Sequence, residues 1–96
     1  MAFRILITST AIQDLDEAYE WYNQKSEGLE SKFALDLQES FQKIAIYPEA
    51  FAKRYKNVRG KLLKKFPYLV MYEIDYELNV VRILRVFNTY QNPYWD

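Results

Sequence analysis

Seven bases and no acid lie between Phe51 and Tyr72: Lys53, Arg54, Lys56, Arg59, Lys61, Lys64 and Lys65. Arg82 and Arg85 follow inside a later apolar stretch. Cations at this density can hold a polyanion or an acidic protein surface, and can stabilise the developing charge on a phosphate. A lysine whose pKa is lowered by burial or by neighbouring cations can also serve as a base. The residues that carry most proton and metal chemistry are missing, because the chain has no histidine and no cysteine. That excludes a histidine triad, a histidine-bound metal, thiol chemistry and a disulfide framework. Asp14, Asp16, Glu17 and Glu20 share a helix face and read as a solvated surface. No metal site and no cofactor are expected.

A net charge of zero conceals a division along the chain. Residues 1–50 hold four bases against nine acids, and residues 51–96 hold nine bases against four acids. The second half is thus suited to an anionic partner and the first to water. A plainer reading is that the lysines protect a sheet edge from pairing with other chains.

The elements that must position these cations follow from pattern. Phe3 to Ile7 is a short apolar run of strand length. Thr8, Ser9 and Thr10 offer helix N-caps, and Thr10 with Gln13 would form a capping box. Ala11, Ile12, Leu15, Ala18, Tyr19 and Tyr22 then recur on one helical stripe, with Trp21 at its edge. Gly28 suits a left-handed C-terminal cap. A second helix carries Leu29, Phe33, Ala34, Leu37, Phe41, Ile44 and Ala45 on its buried side and stops at Tyr47-Pro48. The short link makes the pair a helical hairpin. Pro48 to Lys56 reads as a loop, and Val58 to Lys64 as a strand with Gly60 allowing a bulge or close approach.

Lys64 to Tyr72 and Val80 to Phe87 read as the two arms of a β-hairpin, joined by a turn over residues 75–79. Alternation puts Tyr68, Val70, Tyr72 and Ile74 on one face, and Leu69 and Met71 on the other. In the second arm it groups Arg82 with Val80, Leu84 and Val86, and Arg85 with Val81, Ile83 and Phe87. A half-buried arginine needs a carboxylate or backbone partner, so at least one of the two is expected to be structural. Residues 88–96 form a polar and aromatic tail with Tyr90, Tyr94 and Trp95.

The expected fold is a single α+β domain over residues 1–96, in the order β-α-α-β-β-β. An antiparallel sheet carries the N-terminal helical hairpin on one face. Half of the residues are apolar, enough for one core without staples. No apolar run approaches the roughly 20 residues that span a bilayer, and Ile5-Leu6-Ile7 is too short for a signal segment. A soluble, cytoplasmic protein is expected.

The segment from Arg59 to Tyr72, followed by Val81-Arg82-Ile83-Leu84-Arg85-Val86-Phe87, resembles the RelE/ParE family of toxins from bacterial toxin–antitoxin modules, also described as plasmid stabilisation proteins. The resemblance covers nearly the whole chain. It implies a toxin component neutralised by a cognate acidic antitoxin encoded by a neighbouring gene, with no membrane partner. RelE-like members cut messenger RNA on the ribosome without a metal, and ParE-like members act on DNA gyrase. The RNA-cutting members place arginines where this chain has Leu69 and, near the end of the last strand, Thr89. Many ParE-like members continue past that strand with His-x-x-Arg-Asp, where this chain reads Asn88-Thr89-Tyr90-Gln91-Asn92.

The function expected from this resemblance is that of a ParE-like toxin that binds and inhibits DNA gyrase. One alternative is a RelE-like ribosome-dependent ribonuclease, with Lys61, Lys64, Arg85 and Tyr90 as candidate catalytic residues. Another is an attenuated relative that acts only as a protein-binding module. The expected target- or antitoxin-binding residues are Arg59, Lys61, Lys64, Lys65, Arg82, Arg85, Tyr90, Tyr94 and Trp95.

Overall fold

A computed structural model describes residues 2–90. Its elements are β1 (Arg4–Ile7), α1 (Ser9–Lys25), α2 (Leu29–Ile46), β2 (Lys53–Tyr55), β3 (Val58–Leu62), β4 (Tyr68–Asp75) and β5 (Val80–Asn88). The expected α+β architecture is present, with the helical hairpin packed on one face of the sheet. The five strands run in the order β1-β5-β4-β3-β2. Neighbours from β2 to β5 are antiparallel, and β1 joins β5 in parallel. Parallel pairing follows from connectivity, because α1, α2 and three strands separate β1 from β5 and bring the chain back in the same direction.

β2 lies where a plain loop was expected. Lys53 faces Arg59 and Tyr55 faces Val58, closed by a tight turn through Lys56, whose φ is +51°. The strand is three residues long and basic, which marks it as a protected sheet edge. The helix boundaries also move. Thr8, rather than Thr10, is the N-cap: its Oγ1 accepts the Ala11 N–H at 3.3 Å. The same hydroxyl donates to the Ile83 carbonyl at 2.9 Å, which fixes the choice by tying the cap to the sheet. α1 ends at Lys25 and is capped by Ser26, two residues before Gly28. Gly28 does adopt a left-handed conformation, φ +82°, but directly ahead of α2.

The main core lies between the helices and the sheet. It contains Ala11, Ala18 and Tyr22 of α1, Phe33, Leu37 and Ile44 of α2, and Tyr68, Val70, Tyr72, Val81, Ile83 and Val86 of the sheet. Ile12, expected on the buried stripe, is 47% exposed instead. The ring of Phe33 meets Tyr22, Phe66 and Tyr68 at centroid distances of 5.1–5.3 Å. Each such aromatic contact contributes roughly 0.5–1.5 kcal/mol beyond area burial. Tyr72, wholly buried, donates its hydroxyl to the Pro48 carbonyl at 2.6 Å and anchors the α2–β2 connection.

Leu69, Met71 and Phe87 form a second buried cluster on the opposite face. The alternation expected along β5 fails at one point. Met71 faces Arg85 and Tyr72 faces Ile83, so Leu84 is an extra residue in the ladder. Beyond it the parity reverses, and Val81, Ile83 and Val86 all face the helices while Arg85 and Phe87 lie on the other side.

Candidate functional site

The basic residues divide into those spent on the fold and those presented at its surface. Arg59 belongs to the first group. Its guanidinium donates to the carbonyls of Phe51 at 2.9 Å and Glu49 at 3.3 Å, holding the loop ahead of β2. Arg82 bonds to Asp75 at 2.7 Å, beside the β4–β5 turn. That hydrogen bond, with one from the Leu78 N–H, holds the Asp75 carboxyl below its usual pKa. Arg85 grips Asp14 of α1 with two nitrogens, at 2.7 and 3.0 Å. The same carboxylate accepts the Val86 N–H at 2.9 Å. Both strand arginines are therefore held by carboxylates, where a carboxylate or backbone partner was expected and at least one of the two was expected to be structural.

Asp14 sits there because β1 stops short. Its last facing pair is Ile7 with Ile83, so the rest of β5 has no strand on that side. Thr8 takes up the Ile83 carbonyl and Asp14 takes the Val86 N–H, which satisfies backbone groups that would otherwise be left at an open edge. A cleft of about 320 Å³ opens beside this edge, lined by Asp14, Glu17, Trp21, Tyr68, Arg85 and Asn88. Trp21 is 54% exposed, with the Lys25 ammonium 4.1 Å from its ring centroid.

The second group gathers at the opposite end of the β3–β4 hairpin from Arg82. Lys64 and Lys65 are exposed in the turn between β3 and β4. Their backbone is fixed by Asp36 of α2, which accepts the N–H groups of Lys64, Lys65 and Phe66 at 3.2, 2.7 and 3.1 Å. Asp36 is buried, although an acid at that position reads in the sequence as surface charge. Its spacing was the available signal, since Phe33, Leu37 and Ser40 put position 36 on the packed side of α2.

Lys61, one pair inside the turn on β3, is half-buried on the helix side. Its ammonium donates to the Leu62 carbonyl at 3.1 Å and lies 5.3 Å from the centre of the Phe51 ring. Burial lowers its pKa below the ordinary lysine value, Lys43 of α2 lowers it further, and Asp36 opposes both.

Tyr90 is almost fully exposed and follows β5 at the same end of the sheet. Tyr68 faces Asn88 there, and the Thr89 N–H donates to the Pro67 carbonyl at 2.8 Å. The structure thus brings Lys61, Lys64, Lys65 and Tyr90 to one end of the sheet. It places Arg59 inside the loop anchor, Arg82 at the far end, and Arg85 across β4 against α1. Tyr94 and Trp95 lie outside the described residues. Leu69, where an arginine would serve RNA cleavage, is buried beside Met71 and Phe87.

A further surface is apolar. A groove of about 490 Å³ runs between the helices and β1, lined by Ile5, Ile7, Leu15, Tyr19, Leu37 and Phe41 among others. No helix of the described residues is long and apolar enough to cross a membrane.

The family described as "ParE toxin of type II toxin-antitoxin system, parDE" matches residues 5–93. Solved structures share the fold. A chain of the chromosomal ParDE system of P. aeruginosa is 21% identical, with 91% of this chain and 96% of that one covered, at a TM-score of 0.75. A chain of the RelBE2 toxin–antitoxin complex of Mycobacterium tuberculosis is also 21% identical, over 92% and 99%, at 0.62. The isolated RelE toxin of E. coli is 13% identical over 98% and 92%, at 0.65. No curated protein matches the sequence at a significant level.

Proposed function

The chain belongs to the RelE/ParE-like toxins of type II toxin–antitoxin systems, and we propose that within this family it acts as ParE-like toxins do, by binding DNA gyrase. The carrying observation is the disposition of the arginines. Arg85, the strand arginine nearest a phosphate-cutting role, is engaged by both oxygens of Asp14. Arg59 and Arg82 are likewise bonded to loop carbonyls and to Asp75. Cutting RNA needs a base, an acid and cations converging on one phosphate. Binding a protein needs only a presented surface, and Lys64, Lys65 and Tyr90 supply one without proton transfer.

The partner that neutralises it is a cognate antitoxin with an acidic segment, which complements the basic strands β2 and β3 and their turns. Lys61→Glu with Lys64→Glu should weaken that complex, and unchanged affinity by titration calorimetry at low salt would count against it. For the target, purified protein should inhibit gyrase supercoiling and leave messenger RNA intact in a translating extract. Codon-positioned cleavage that disappears with Lys64→Ala would overturn the gyrase reading.

One observation favours the RNA-cutting alternative. Lys61 has its pKa lowered by burial and by Lys43, in the direction a lysine base needs. Under that reading cleavage would rise with pH as Lys61 loses its proton, and Lys61→Arg would abolish the rise.

A further inference from the structure

Asp36 is 4% exposed on the packed side of α2, yet no base is bonded to it among the described residues. A buried carboxylate without a cation is retained only where its lone pairs are filled by hydrogen bonds. Here they are filled by three consecutive backbone N–H groups, those of Lys64, Lys65 and Phe66. An apolar residue at this site could hold α2 to the sheet equally well. What the carboxylate adds is a fixed backbone for the turn, since successive N–H groups can converge on one anion only in a narrow range of conformations. The two residues so fixed carry exposed ammonium groups, whereas the other lysine-rich turn, through Lys56, has no such anchor among the described residues.

We propose that Asp36 is the positioning residue of the basic turn, setting the backbone of residues 64–66 so that Lys64 and Lys65 meet an acidic protein surface as a preorganised pair. The inference rests on the reading of this turn as a contact surface. Preorganisation removes the ordering cost that two mobile lysines would otherwise add on binding. Asp36 itself touches no partner and acts through the backbone it holds.

The test compares wild type with Asp36→Asn by amide hydrogen exchange and by binding to poly-glutamate, a plain acidic probe, at low salt. Exchange at Lys64, Lys65 and Phe66 should accelerate about tenfold or more, the scale of a charge-assisted hydrogen bond. Val70 and Tyr72 should keep their protection. Poly-glutamate affinity should fall as far as it does in the double variant Lys64→Ala/Lys65→Ala. Ile44→Val, which loosens the core without touching the turn, should leave that affinity unchanged; this separates positioning from general destabilisation.

If Asp36→Asn does not fold, the wild-type protein supplies the reading. The backbone amides of residues 64–66 should then exchange much more slowly than those of the exposed turn through Lys56, because Asp36 holds them. Unchanged exchange in the turn of the variant, wild-type amides at 64–66 that exchange as fast as the Lys56 turn, or an opened turn with full affinity would each overturn the proposal. Failure to inhibit gyrase would instead remove the target reading and leave these measurements to judge Asp36.

Discussion

Two carboxylates, one on each helix, take hydrogen from the backbone of the sheet. Asp14 accepts from Val86, and Asp36 accepts from Lys64, Lys65 and Phe66. Asp14 also holds the Arg85 guanidinium, while Asp36 has only backbone partners among the described residues. The first therefore closes an edge with a charge pair, and the second shapes a turn with dipoles. Losing Asp14 would take the carboxylate away from a partly buried cation. Losing Asp36 would release amides that can turn to water.

The difference predicts unequal costs. Asp14→Ala should destabilise most, by about 3 kcal/mol, the low end for breaking a buried pair because the Arg85 side chain is still 27% exposed. Melting temperature should fall by about 10 °C or more in a domain of this size. A loss of only a degree or two would mean that the edge is held by something other than the pair. Asp36→Asn should cost about 1–2 kcal/mol by urea unfolding, with the change concentrated in the turn.

A double-mutant cycle sharpens the contrast. Asp14 with Arg85 should show a coupling of about 1 kcal/mol, whereas Asp36 with Lys64 should stay below about 0.5, because the latter contact is to backbone. Equal couplings would erase the distinction between the two anchors.

Tyr72 gives an uncharged reference, since it too ties an element to the sheet through one backbone carbonyl. Tyr72→Phe should cost about 1 kcal/mol. Burial pushes the Tyr72 hydroxyl from an ordinary 10.0 up to about 12, and Tyr22 likewise. Between those values the unfolded chain has released protons that the folded chain keeps. Stability is thus intact below pH 10 and falls as pH rises towards 12. The fall should be shallower in Tyr72→Phe, as followed by tyrosinate absorbance and helix signal together.

The architecture was largely legible because each element announces its own period. The stripes of α1 and α2 and the alternation of β4 are properties of neighbouring residues, and they carried the fold class. What was not legible depends on contacts between distant segments. The reversal of β5 requires knowing that Leu84 is an extra residue against Met71 and Tyr72. Thr8 prevails over Thr10 as a cap because it also meets Ile83. β2 is too short to show a period and exists by pairing with β3.

The site was legible as charge but not as allocation. The basic run was evident in composition, while the engagement of Arg59, Arg82 and Arg85 appears only once their partners are in place. Asp36 entered only as one of the nine acids of residues 1–50. Its neighbours Phe33, Leu37 and Ser40 place it inside, but nothing local indicates the three amides that it meets.

The parallel pairing of β1 with β5 also sets the order in which the protein can form. Thr8 and Ile83 bond across 75 residues, and the α1 N-cap and the β5 residues of the main core lie on that seam. Contacts so far apart form late and slowly, because the whole intervening chain must be closed into a loop first. During synthesis β1 emerges before β5 and waits unpaired until β5 has left the ribosome. Folding of the sheet therefore awaits β5, and any partner that recognises the folded sheet meets only chains in which β5 has already been made.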